Sequence, residues 1–255
     1  MARELEGRSV IITGGASGIG GACARLFAAQ GAQLTLVDRD EGKLAALAAQ
    51  LGANVLPLRL DVSVEADMAE MATRAKARFG GIDALVAAAG IRSTSGEPKP
   101  VIDLSYEEWR RIVEVNLTGT FLSNRAVLPA MLERGGGDIV NVSSTAGLQG
   151  RAFDAPYSSS KAGVIGFSEA LSEEIGRRGI RVQTLLPDAV DTPLWEQAGS
   201  TSLKPPHMLS PGRVAEFILY MLTLPRDAYL LNPAIHPLRV RTRRKPAMGE
   251  AASAG

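Results

Sequence analysis

The chain has 255 residues, 45% of them hydrophobic and 22% charged, with a formal net charge of +1 at pH 7. That balance excludes the broad basic field of a nucleic-acid or membrane-surface binder, and a single cysteine, Cys23, excludes an internal disulfide. Two histidines, His207 and His236, each beside a proline, leave no metal-ligand spacing, so no metal site is expected.

The N-terminal residues Met1 to Glu6 hold no apolar run of the signal-peptide type, and no apolar stretch is long enough to cross a bilayer. The expectation is a soluble, cytoplasmic protein with one domain, residues 1–238, and a basic, flexible tail, 239–255.

Ser9 to Thr13 is a short apolar run that reads as a buried strand. Thr13-Gly14-Gly15-Ala16-Ser17-Gly18-Ile19-Gly20 follows, then an alanine-rich helix from Ala22 to Gln30, stopped by Gly31. Strand, glycine loop and helix present backbone N–H groups and a positive helix end to a phosphate; the same sequence also serves a tight strand-to-helix turn. Gln33 to Val37 is a second strand ending on Asp38, eighteen residues after Gly20, where a ribose hydroxyl would be held. Arg39 follows at once.

Glu41 to Leu51 reads as a helix and Asn54 to Leu60 as a third strand ending in Asp61-Val62. Ser63 is read as the cap of a helix running to Phe79, and Ile82 to Ala88 as a fourth strand ending in Ala89-Gly90. Residues 92–100 form a polar loop. Ser105 caps one helix from Tyr106 to about Leu132, and Asp138 to Val142 is a fifth strand that runs into Ser143-Ser144. A helix from about Pro156 to Arg177 carries Tyr157 and Lys161. Arg181 to Leu186 is a sixth strand, 188–210 a loop or lid, Pro211 to Leu224 a last helix, and Tyr229 to Ile235 a seventh strand at an edge because of Pro233.

Strands alternating with helices predict a single Rossmann-like, doubly wound α/β domain, with a parallel sheet of about seven strands covered on both faces. Ligands on such sheets bind at the carboxyl ends of the strands, where the glycine loop, Asp38, Asp61, Gly90 and Ser144 all fall. Tyr157 and Lys161 are four apart, so on a helix they share a face. A cation there favours phenolate and lowers the phenol's pKa, a recipe for proton exchange near neutral pH; a ring packed on a lysine stem has the same spacing.

In combination these motifs resemble the short-chain dehydrogenase/reductase family, from about residue 7 to about 195. TGGASGIG at 13–20 fits its TGxxxGxG cofactor loop, and Tyr157-Ser-Ser-Ser-Lys161 its YxxxK pair. Asp61-Val62 matches the dipeptide that meets adenine, Asn116 the helix asparagine, IVNVSS at 139–144 the serine strand, and Asp191-Thr192-Pro193 the cofactor-side threonine motif.

The resemblance implies roles. Tyr157 is the acid/base, Lys161 binds the nicotinamide ribose and lowers the tyrosine pKa, and Asn116 holds a water in a proton relay. Ser144, thirteen residues before Tyr157, is preferred to Ser143 for binding the substrate oxygen. Cofactor contacts are implied for Gly14, Ser17, Gly18, Ile19, Gly20, Asp38, Arg39, Asp61, Val62, Ala88, Gly90, Tyr157, Lys161, Val190 and Thr192. The implied reaction is hydride transfer between NAD(H) and a secondary alcohol or ketone, in a homodimer or homotetramer. Alternatives are an NADPH-dependent ketone or 3-oxoacyl reductase and a non-catalytic cofactor-binding regulator.

Asp38 favours NAD because it would repel the extra phosphate of NADP, while Arg39 pulls the other way. The chain departs from the pattern at Ala87-Ala88-Ala89-Gly90, at Pro187-Asp188 where glycine is usual, and in lacking the closing Asp-Gly-Gly turn. Substrate identity is left to the loops 92–100, 145–156 and 188–210. There Arg92, Lys99 and Arg151 could meet an anion, and Trp195 and Phe153 could form an apolar wall.

Overall fold

The computed structural model describes residues 4–94, 96, 99–198 and 204–238; the expected tail, 239–255, lies outside them. Seven parallel strands form one sheet in the order β3-β2-β1-β4-β5-β6-β7. They are β1 (Ser9–Thr13), β2 (Gln33–Asp38), β3 (Val55–Arg59), β4 (Ala84–Ala87), β5 (Gly137–Val142), β6 (Ile180–Pro187) and β7 (Ala234–Ile235). The order reverses between β1 and β4, which pair with Val10 opposite Ala84 and Thr13 opposite Ala87. That reversal opens a crevice at the carboxyl ends.

Side-chain alternation along the strands divides the core in two. Val10, Ile12, Leu34, Leu36 and Val86 face one layer, covered by α1 (Gly18–Ala29), α2 (Glu41–Leu51) and α7 (Pro211–Thr223). Ile11, Val37, Leu85 and Ile139 face the other, under α3 (Glu65–Phe79), α5 (Gly119–Glu133) and α6 (Ala155–Ile175). Cys23 is buried in the first layer, and burial pushes its thiol far above the ordinary range, so it is a packing residue.

Several boundaries differ from the sequence reading. Helix α1 begins at Gly18 rather than Ala22, because the glycine loop turns directly into its first turn. Ser63 is not a cap: its hydroxyl donates to Asp61 Oδ1 at 2.6 Å, and Val64 precedes the first turn of α3. The long helix after Ser105 is two helices, α4 (Tyr106–Val113) and α5, joined by a wider π turn at Glu114–Thr118 that carries Asn116. The seventh strand is only two residues long and pairs in parallel with β6. Asn232 takes a left-handed φ of 49°, and Pro233 has no N–H, so pairing cannot extend backwards.

Candidate active site

One cavity of about 880 Å³ lies over the carboxyl ends of the strands. At its middle, Gly14, Ser17, Gly18 and Ile19 form one wall at the start of α1, whose first turn holds no acid. Gly14 has φ +67°, and a Cβ there would stand 2.8 Å from the Ala89 Cα, so only glycine lets the loop lie on β4. The exposed amides and positive helix end suit a diphosphate. Gly20 does not line the cavity, contrary to expectation. A Cβ on it would lie 2.1 Å from the Gly14 carbonyl oxygen, so its part is to let the loop fold back on the helix.

Asp38 and Asp61 stand at one end. Asp38 accepts the Ala16 amide through Oδ2 and the Asp40 amide through Oδ1, both at 3.1 Å, which fixes its carboxylate beside the glycine loop. Arg39 is 63% exposed and donates to Asp61 Oδ2 at 3.4 Å. Arg111, a residue the sequence reading passed over, donates to the same oxygen at 3.0 Å. Burial pushes the Asp61 carboxyl up, but the Ser63 hydroxyl and amide and the Arg111 guanidinium outweigh it and hold it at about 2. Val62, Ala88, Gly90, Val190 and Thr192 also line the cavity, where the sequence placed them.

The reactive groups converge beyond the glycine loop. Tyr157 and Lys161 lie on α6, and Ser144 follows β5. Ser144 and Tyr157 both line the cavity, and the Ser144 hydroxyl acts on the Tyr157 phenol, lowering its pKa. Ser143 instead donates to the Lys161 carbonyl at 2.7 Å, so the two adjacent serines have different tasks.

The expected effect of Lys161 on the phenol is not met. Its ammonium donates to the Val142 carbonyl at 2.9 Å and sits 5.7 Å from the ring centroid. Burial pushes the phenol above its ordinary value. The Ser144 hydroxyl opposes that, Asp154 adds to it, and Arg92 and Arg151 pull it down. Burial also draws the Lys161 ammonium down to about 8.

Asn116 is fully buried and does not line the cavity. Its Oδ1 accepts the Ile91 amide at 2.8 Å, and its Nδ2 donates to the Ile91 carbonyl at 2.8 Å and Ser160 Oγ at 3.0 Å. The side chain therefore ties the end of β4 to α6 behind Lys161. Gly90 keeps this space open: a Cβ there would lie 3.3 Å from Asn116 Oδ1 and 3.6 Å from Lys161 Nζ.

The far end is built from loops. Arg92 pairs with Asp154 at 2.9 Å and lies 4.6 Å over the Trp195 ring; its amide donates to Gln197 Oε1 at 3.0 Å. Arg151 pairs with Asp188 at 2.7 Å. Trp195 lines the cavity as expected, but Lys99 and Phe153 do not. Lys99 pairs with Glu108 at 3.5 Å, and Phe153 is 61% exposed on a left-handed backbone of φ 63°. Asp154 and Gln197 were missed. Asp154 is an acid three residues before Tyr157 at a helix start, which looks like an ordinary cap until Arg92 is seen to claim it.

A nicotinamide dinucleotide fits this wall: an acid-free helix end with a glycine cradle, the Asp38 carboxylate on one side, and a serine–tyrosine–lysine group on the other. The comparisons agree. Residues 8–202 match the family described as short chain dehydrogenase. The chain is 39% identical over 197 residues to 2-dehydro-3-deoxy-L-rhamnonate dehydrogenase (NAD(+)) of a Sphingomonas species, covering 77% of this chain and 78% of that protein. It is 41% identical over 197 residues to cis-4-hydroxycyclohexanecarboxylate dehydrogenase of Sinomonas cyclohexanicum, covering 76% and 78%. A 3-ketoacyl-(acyl-carrier-protein) reductase from Brucella melitensis, solved with NADH, superposes with a TM-score of 0.82 at 32% identity, covering 91% of this chain and 96% of that one. Together, sheet order, cavity and sequence match show that this chain belongs to the short-chain dehydrogenase family and is a hydride-transferring oxidoreductase.

Proposed function

We propose that the enzyme interconverts a secondary alcohol and a ketone, with NAD(H) preferred over NADP(H). The observation that carries this is that Ser144, Tyr157 and Lys161 line the same cavity as the glycine loop and Asp38. When bound, the cofactor takes the hydride from the carbinol carbon or returns it. Tyr157 takes the hydroxyl proton in oxidation and gives it back in reduction, while Ser144 donates to the substrate oxygen. The Lys161 ammonium, anchored on Val142, keeps donors for ribose hydroxyls. Asn116 braces the β4 end against α6 and so positions Lys161; its side-chain amide is occupied by protein partners, which argues against the expected water-holding role for that amide.

NAD is supported by the fixed direction of Asp38 and by Arg39 leaning on Asp61 instead of standing free to meet a phosphate. The NAD(+) in one relative's name and the NADH in a similar structure point the same way. Both dehydrogenase relatives are named for carboxylates.

We further propose a homodimer or homotetramer pairing through α5 and α6, where the partly exposed Phe121 packs edge-on against Phe167 at 5.9 Å. A cytoplasmic location suits the one reduced cysteine, and subcellular fractionation checks it. Among the described residues no helix is long and apolar enough to cross a membrane.

The test follows nicotinamide absorbance with a panel of alcohols and ketones, in wild type and Tyr157→Phe. The expected result is turnover that falls by about 10²–10⁴-fold in the variant while cofactor binding persists. Near-normal turnover in Tyr157→Phe would refute the assignment.

A further inference from the structure

We propose that the substrate carries a carboxylate and that Arg151 receives it, an inference that rests on the hydride-transfer reading of the same cavity. Three cations come from the loops around the substrate end, and the structure separates them. Lys99 is outside the cavity and paired with Glu108. Arg92 lines the cavity but is confined: its side chain is 15% exposed, Asp154 takes its Nε and Nη2, and Trp195 covers its face. Its charge is offset at 2.9 Å by a carboxylate that lines the same cavity.

Arg151 is also paired with a carboxylate, Asp188, but less confined: both line the cavity, and its side chain is 40% exposed against 9% for Asp188, so the guanidinium is the more accessible of the two. Asp188 Oδ1 accepts Arg151 Nη2 at 2.7 Å and Thr145 Oγ1 at 3.2 Å, and Asp188 Oδ2 faces His236 Nδ1 at 3.3 Å. Thr145 Oγ1 also accepts Arg151 Nη2 at 3.1 Å. One nitrogen of the fork is therefore held from behind, while Nε and Nη1 carry no hydrogen bond among the described residues.

The position suits a substrate contact. The Arg151 amide donates to Ser158 Oγ at 3.3 Å, next in sequence to Tyr157, so the loop moves with α6. Its charge also acts on the Tyr157 phenol, pulling its pKa down. A guanidinium braced by a buried acid and offering unused N–H donors to a cavity is a receptor for an anionic oxygen. Asp188 stands where the family pattern usually has glycine, which makes the brace a feature of this chain.

The experiment uses 3-oxobutanoate, 4-oxopentanoate and 5-oxohexanoate, each beside its methyl ester, with NADH, in wild type and Arg151→Gln. For the preferred chain length the acid should show a lower KM than its ester. Arg151→Gln should raise the acid's KM on the order of 10–100-fold and leave the ester's KM unchanged. Any change in kcat through the Tyr157 phenol should fall equally on acid and ester, and an unchanged melting temperature shows that the variant is folded. Arg151→Lys should recover part of the acid's advantage.

Equal KM values for acid and ester in wild type, or an equal rise for both in the variant, would overturn the inference and leave hydride transfer standing. Calorimetric titration of the NAD-loaded protein with the oxo acids reads binding without turnover. Acid binding lost in Arg151→Gln supports the inference even where no hydride moves, a result that would count against the dehydrogenase reading alone. No binding of any acid overturns the inference.

Discussion

The carboxylate of Asp38 accepts the Ala16 amide at 3.1 Å, so the acid that ends β2 is fastened to the glycine loop of β1. Its direction is set by backbone and not by a free rotamer. A second anion brought beside it, such as the extra phosphate of NADP, is repelled at a fixed distance. Asp38→Ala should therefore shift the ratio of kcat/KM for NAD over NADP by tenfold or more toward NADP, about 1.4 kcal/mol per tenfold. NAD use itself should also fall, because the loop loses its tether. An unchanged ratio would remove Asp38 from cofactor choice.

Ser143 and Ser144 should separate cleanly. Ser144→Ala deletes the hydroxyl that acts on the Tyr157 phenol, and kcat should drop roughly 10²-fold or more with little effect on stability. Ser143→Ala removes the bond to the Lys161 carbonyl and should cost about 1 kcal/mol of stability, with the smaller loss of kcat. Steady-state rates and urea unfolding of both variants read the difference. The reverse pattern would exchange the two roles.

Lys161 should leave a mark on alkaline stability. Its folded value, about 8, lies below the ordinary 10.5 because the ammonium is buried. Below pH 8 both folded and unfolded chains carry the charge, and burying it costs stability. Between about pH 8 and 10.5 only the unfolded chain still binds that proton, so this group's contribution to stability rises with pH, by up to about 3 kcal/mol. Without cofactor, wild-type stability relative to Lys161→Met should climb through that window. A flat difference would mean that the ammonium is better solvated than its burial implies.

Residues 1–238 are proposed as the whole catalytic unit. Deleting 239–255 should leave the melting temperature and turnover unchanged, because the described sheet closes at β7 and the last strand pair ends at Ile235. Loss of soluble protein or of activity in the truncated chain would move the domain boundary.

Much of the framework was legible because it depends on local chemistry. Buried parallel strands are apolar runs, and the acid, glycine and serine positions fall where those runs stop. The errors lie where two segments meet. Ser63 looked like a helix cap until Asp61, held by Arg111 from α4, took its hydroxyl. One long helix became α4 and α5, because the π turn lets Asn116 face Ile91 and Ser160 at once. Tyr229 to Leu231 looked like strand, but its one bond to β6 goes from the Leu230 amide to the Gln183 side chain, and the strand pairing is limited to Leu186 with Ala234 and Pro187 with Ile235.

The sequence by itself determined the alternation of strand and helix, the glycine loop, the acid at the end of β2 and the Tyr157–Lys161 spacing, since each is written in neighbouring residues. Only the tertiary structure decided which charges are used. It turned Lys161 to the Val142 carbonyl, and burial, Ser144, Asp154, Arg92 and Arg151 act on the phenol's acidity. It enclosed Arg92 between Asp154 and Trp195, and it braced Arg151 against Asp188 with N–H donors left over. The strength of a charge depends on its burial and its partners, and those partners lie far along the chain: 19 residues for Lys161 and Val142, 37 for Arg151 and Asp188, and 62 for Arg92 and Asp154.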